Sequence, residues 1–237
     1  MTPAHRVRIP NHLHVAGSLP ERQPWYSISN TADVASIYVY NEIGGFGITA
    51  DDFLQDLGAL NQAQIDVRIN CKGGDVFDGI AIYNALRQHD ARVVTKIDSL
   101  AASIASVIAQ AGDERIMVQH SQMMIHDAHG VCVGGAADMT AMGVLLERQS
   151  NLIADIYATK ARSADIERYR DLMRAETWLT ADEAVELGLA DRVVAPADMT
   201  NEIVNQSPGE PDEAPTAQTD WVSVFASAIT DPLEALT

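Results

Sequence analysis

Apolar positions along this chain switch repeatedly between a period of two and a period of three to four. Ser36-Ile-Tyr-Val-Tyr40 alternates as a half-buried strand does, and Gly44, Gly45 and Gly47 end it. Thr49 followed by Asp52 has the form of a capping box, and Phe53, Leu54, Leu57 and Leu60 continue it as a helix. Ile65, Val67 and Ile69 alternate again until Lys72-Gly73-Gly74 interrupts them. The pattern then predicts a helix over 77–88, a strand over 92–97 and a short apolar helix over 103–111 closed by Gly112. Strands follow over 115–118 and 123–125, then one long helix over 136–161. A last helix opens at Thr180, with Glu183 completing a second capping box, and stops at Gly188 before a strand over 191–194. Strands and helices in alternation imply βα units and a largely parallel sheet, an α/β fold.

The two ends read differently. Residues 1–30 carry four prolines and are expected to be an N-terminal arm, leaving 31–195 as the folded domain. Residues 196–237 are expected to be an acidic, disordered tail. They hold eight acids and no Lys or Arg, and 205–220 are rich in Pro, Glu and Gln. Near its end Trp221, Val222, Phe225, Ala228 and Ile229 fall on one helical face, which suits either a weakly packed helix or a docking helix.

Composition narrows the function. With 47% apolar residues among 237, the chain can bury a sizeable core, and 16 basic against 33 acidic residues give a net charge of −17. Such a charge argues against a nucleic-acid surface, which needs basic side chains to neutralise phosphates, and against docking on anionic membranes. Only Cys71 and Cys132 are present, so no disulfide framework is expected and a reducing, cytoplasmic setting is the default. The apolar run around 100–111 is broken by serines and too short for a bilayer, and residues 1–17 lack a signal-peptide stretch.

Three stretches carry candidate chemistry. In Asp98-Ser-Leu-Ala-Ala-Ser-Ile-Ala-Ser106 a strand runs through small residues to a serine where a helix begins. Small neighbours admit a substrate backbone to the Ser103 hydroxyl, and the helix start offers unpaired N–H groups where an oxyanion would form. On spacing alone Ser103 reads as a helix cap before it reads as a nucleophile. Ser99 precedes the turn and Ser106 lies a turn inside the helix, so both are poorer candidates. The second stretch, Ile69-Asn-Cys-Lys-Gly-Gly-Asp75, puts two glycines at a strand's carboxyl end, either an ordinary strand-to-helix turn or a turn whose Gly74 N–H joins Ile104 N–H in an oxyanion hole. No Gly-Lys-Ser/Thr follows to hold phosphate, and Cys71 beside Lys72 reads as a small buried residue rather than an activated thiol. The third, Met123-Met-Ile-His-Asp-Ala-His129, ends an apolar strand at His126, a general base or a satisfied structural histidine. His126 and His129 lack the further ligands of a metal site.

Taken in order, Ile69-Asn-x-x-Gly-Gly, Leu100-Ala-Ala-Ser103, Met124-Ile-His126 and Trp178-Leu-Thr-Ala-x-Glu-Ala-Val-x-x-Gly188-Leu-x-Asp191 resemble the Clp protease proteolytic subunit over about residues 35–195. Within that family the chain is most similar to phage and prophage members associated with head maturation, through Tyr40-Asn-Glu-Ile-Gly, Val76-Phe-Asp-Gly-Ile-Ala-Ile-Tyr and Glu176-Thr-Trp-Leu-Thr-Ala. The resemblance implies a crotonase-like α/β fold of repeated ββα units with a long helix, and subunits assembled as stacked homo-oligomeric rings around a chamber. It implies a serine endopeptidase with Ser103 as nucleophile, His126 as base and an acid as third member. The family's usual aspartate is Glu176 here, with Asp171 as an alternative, and its usual Ser-Pro before the glycine pair is Cys71-Lys72. No cofactor or metal is implied. Expected partners are protein or peptide substrates, with a separate AAA+ unfoldase or phage capsid proteins, in the bacterial host cytoplasm. The rival readings are a catalytically silent ring subunit and a crotonase-type acyl-CoA enzyme.

Overall fold

The computed structural model describes residues 24–44 and 49–196. The acidic tail and its terminal apolar face, expected over 196–237, lie outside the described residues beyond position 196. The folded chain starts earlier than the composition suggests. Tyr26–Asn30 forms a strand, β1, antiparallel to Val34–Val39, β2. The expected arm through residue 30 therefore ends inside the sheet. What holds it is tertiary: Trp25 is 1% exposed and stacks on Phe53, and the Tyr26 hydroxyl donates to Asp56 at 2.7 Å. Tyr26-Ser-Ile-Ser29 does alternate, but within a stretch whose four prolines read as an arm.

From β2 the chain passes through helix α1, Ala50–Gly58, whose Asp52 carboxylate accepts the Thr49 N–H as the capping pattern predicts. Strand β3, Gln64–Cys71, helix α2, Val76–Gln88, and strand β4, Arg92–Ala102, follow as right-sized βα units. Asp75 caps α2, accepting from the N–H groups of Phe77 and Asp78. Helix α3, Ile104–Ala109, leads to β5, Glu114–Val118, and β6, Gln122–Ile125. The long helix α4, Ala136–Lys160, matches expectation. Helix α5, Ile166–Arg174, and strand β7, Thr177–Thr180, were not legible as elements. Helix α6, Ala181–Glu186, and strand β8, Arg192–Val194, complete the unit.

The sheet runs β1-β2-β3-β4-β5-β8, with β2, β3, β4, β5 and β8 parallel to one another. Its inner face presents Ile37, Val39, Ile65, Val67, Ile69, Val93 and Ile97, all buried with Phe53, Ile82, Leu86 and Val107 from the helices. Alternation puts Asp66, Arg68, Lys96 and Asp98 on the other face. There Lys96 Nζ meets Asp66 at 2.5 Å and Arg68 is bidentate to Asp98.

One irregularity positions everything that follows. Strand β4 is longer than predicted and pairs twice: Val94–Ile97 against β5, then Leu100–Ala102 against β6. The sheet forks, and β6 runs beside the small residues that precede Ser103. Strand β7 then adds antiparallel to β6.

Candidate active site

Ser103 stands between β4 and α3 with φ +55° and ψ −131°, a left-handed conformation that a residue with a Cβ adopts only when its surroundings impose it. Its side chain makes no bond to the N–H groups of α3, so the helix-cap reading favoured by spacing alone fails. Ser103 is also the one residue from Ala101 to Ala111 that is not buried. Its N–H donates to the Met124 carbonyl of β6 at 2.9 Å, which pins it beside the fork. Two residues beyond Met124, His126 Nε2 lies 2.7 Å from Ser103 Oγ. Fold and register thus bring together two residues 23 positions apart.

Burial lowers the His126 pKa below the ordinary histidine value, and the neighbouring His129 adds to that. Glu176 and Asp127 pull the other way. His129 packs edge-on against the His126 ring, centroids 4.4 Å apart. A histidine kept neutral and in contact with a hydroxyl is able to accept its proton.

The third position is less complete. Antiparallel register pairs Ile125 with Thr177, so one step further sets Glu176 opposite His126. Glu176 is exposed, and His126 Nδ1 is buried without a hydrogen-bond partner among the described residues. The glutamate therefore acts on the imidazole by charge and not by contact. It sits just past α5 at φ +49°, a position where helices favour glycine, with its N–H on the Met173 carbonyl. The alternative acid, Asp171, has an exposed carboxylate that accepts from Arg174 at 2.9 Å.

The glycine pair lies against the serine. A Cβ on Gly73 would stand 2.7 Å from Ser103 Cβ and 3.1 Å from Ser103 Oγ. Gly73 C=O accepts from Ile43 N–H and Asp75 N–H donates to Ile43 C=O, both at 2.9 Å. In this parallel bridge the ladder uses the neighbours of Gly74 and leaves its own N–H for another acceptor. Gly74 and Ile104 both line the cleft beside Ser103 and His126, whose apolar wall includes Val107, Ile153 and Tyr157. Cys71, by contrast, is buried behind the turn, where burial pushes its thiol pKa up and makes it a poor nucleophile.

Sequence reasoning missed the residues that suspend the 126–129 segment. Arg170 is 2% exposed, bonds Asp127 through Nη1 and reaches both carboxylate oxygens of Glu147 through Nη2 at 3.1 Å. Ala128 N–H donates to Ser150 Oγ at 2.9 Å. The one available signal was an arginine three residues before Met173, on the apolar side of α5. Among the described residues no group of three or more His, Cys, Asp or Glu is placed to hold a metal ion, and no helix is long and apolar enough to cross a membrane.

The family model described as Clp protease matches residues 21–197, three quarters of the sequence. The chain belongs to the Clp protease family. It is 34% identical over 129 residues to the ATP-dependent Clp protease proteolytic subunit 3 of Rhodococcus jostii, covering 54% of this chain and 63% of that protein. It is 31% identical over 135 residues to the ATP-dependent Clp protease proteolytic subunit of Deinococcus radiodurans, covering 56% and 66%. A third relative, proteolytic subunit 1 of Protochlamydia amoebophila, is 35% identical over 132 residues, covering 53% and 63%. The chain thus spans slightly under two thirds of the curated relatives it matches. The mixed α/β architecture agrees with membership of the Clp protease family, as the four motifs led one to expect.

Proposed function

We propose that this chain is a serine endopeptidase subunit in which Ser103 is the nucleophile and His126 its general base. The observation that carries the reading is the 2.7 Å contact between His126 Nε2 and the Oγ of a serine held at positive φ. His126 takes the Ser103 proton as Oγ attacks a peptide carbonyl, forming the C–O bond of a tetrahedral intermediate. The N–H groups of Gly74 and Ile104 receive the oxyanion, each donor being worth about 3 kcal/mol of barrier. The C–N bond then breaks as His126 gives its proton to the leaving amine, and water resolves the acyl-enzyme by the reverse roles.

Glu176 is the positioning carboxylate, stabilising the imidazolium once substrate or a neighbouring subunit brings it to His126 Nδ1. Extended or unfolded protein is the fitting substrate, because an extended segment laid against Gly73-Gly74, before α2 begins, is held by its main chain. The subunits act as a homo-oligomeric stacked ring in a bacterial host cytoplasm. A separate AAA+ unfoldase or a phage capsid or scaffold protein supplies the substrate.

A second reading has one observation in its favour. The orphan Nδ1 of His126 suits a catalytically silent ring subunit. Hydrolysis of fluorescently labelled unfolded casein, and of a co-expressed capsid protein, separates the two. The peptidase reading expects cleavage by the assembled protein, lost in Ser103→Ala and His126→Ala. Cleavage that is equal in Ser103→Ala refutes it.

A further inference from the structure

Ser103 is held in its strained conformation from both sides of its own backbone. Its N–H is fixed on Met124, and its carbonyl accepts twice from Ser106, from the N–H at 3.0 Å and from the hydroxyl. Ser106 Oγ lies in turn 2.8 Å from the hydroxyl of Tyr157 on α4. Proton counting gives this chain a direction. A carbonyl only accepts, so the single Ser106 hydroxyl proton belongs to Ser103, and the Tyr157 hydroxyl must donate to Ser106. Ser106 is 0% and Tyr157 1% exposed, so water does not compete for these bonds. Burial also pushes the phenol's pKa up, keeping that proton in place.

The consequence lies in the peptide plane. Ser103 C=O and Ile104 N–H belong to one trans peptide unit and point in opposite directions. Whatever fixes the carbonyl therefore aims the N–H at the position where an oxyanion develops. The same bonds fix the Ser103 Cα, and with it the reach of Oγ to His126. A phenylalanine would fill the space of the Tyr157 ring equally well, so filling the core does not account for the hydroxyl.

We propose that Tyr157, acting through Ser106, is a positioning residue that locks the Ser103–Ile104 peptide for catalysis. The proposal rests on Ser103 being the nucleophile. Its test is kcat and KM for a fluorogenic tripeptide amide in the wild-type assembly, Tyr157→Phe, Ser106→Ala and the double variant. Each single change is expected to lower kcat about tenfold while KM stays within about twofold, because the lost orientation matters in the transition state. The double variant is expected to match Ser106→Ala within about twofold, since the Tyr157 hydroxyl is bonded to Ser103 only by way of Ser106 and phenylalanine keeps the ring in the cleft wall. Ser106→Ala, on a different element, repeats the test should Tyr157→Phe fail to assemble. An active wild type with Tyr157→Phe and Ser106→Ala unchanged in kcat, losses that multiply in the double variant, or an effect on KM alone overturns this proposal and leaves the peptidase reading standing. A wild type that neither hydrolyses peptide nor takes up a fluorophosphonate overturns both.

Discussion

Ser103 combines two costs that a purely structural residue would not carry: a left-handed backbone and a side chain with no capping bond. A non-glycine residue in such a conformation costs about 1–3 kcal/mol. Ser103→Gly is therefore expected to unfold at higher denaturant than Ser103→Ala by about 1 kcal/mol in equilibrium denaturation, both being inactive. Gly73 favours glycine over alanine too, with lack of space added to the backbone conformation. A methyl group there would stand 2.7 Å from the Ser103 Cβ at a backbone φ of +110°. Gly73→Ala is expected to lower kcat/KM for a peptide amide by about a hundredfold or more, since a displacement of an ångström at reacting atoms has that effect.

The pH profile follows from the groups facing His126. Activity needs the neutral imidazole, so it falls as pH drops through the His126 pKa. Because burial and His129 lower that pKa, the acidic limb is expected below the ordinary histidine range. Glu176 raises the pKa, so Glu176→Gln moves the limb to lower pH while reducing kcat. His129 lowers it, so His129→Gln moves the limb to higher pH. A pH–rate profile of the three proteins checks the order, and a limb that moves the other way in either variant contradicts the assignment.

At the scale of elements, strands with clean alternation and helices with capping signals were legible: β3, α2, α4 and α6 lie within a residue or two of where pattern placed them. The failures share a cause. Strand β1 is anchored by Trp25 and Tyr26 against α1, and β7 by pairing with β6, so both depend on contacts between elements distant in sequence. Helix α5 is mostly charged, and its apolar face is only Tyr169, Leu172 and Met173 with a buried arginine among them. The candidate site was legible because it sits at breaks in the pattern, at Gly73-Gly74, Ser103 and His126. Its supports were not, because Arg170, Glu147 and Ser150 carry no local signal of what they hold. Arg170→Met keeps the volume and removes the bonds to Asp127 and Glu147. It is expected to lower unfolding stability by about 1–3 kcal/mol and to reduce kcat by freeing the 126–129 segment. Loss of stability without loss of kcat would make Arg170 a core residue only.

For the whole molecule, membership of the Clp protease family and the Ser103–His126 contact both support the proposed peptidase chemistry. The measurement that bears most directly on the account is covalent labelling of the assembled protein by a fluorophosphonate, with the adduct mapped by mass spectrometry. One adduct is expected, on Ser103, absent in Ser103→Ala and still formed, more slowly, in Ser106→Ala. No adduct on the assembled wild type, or an adduct that persists in Ser103→Ala, would contradict it.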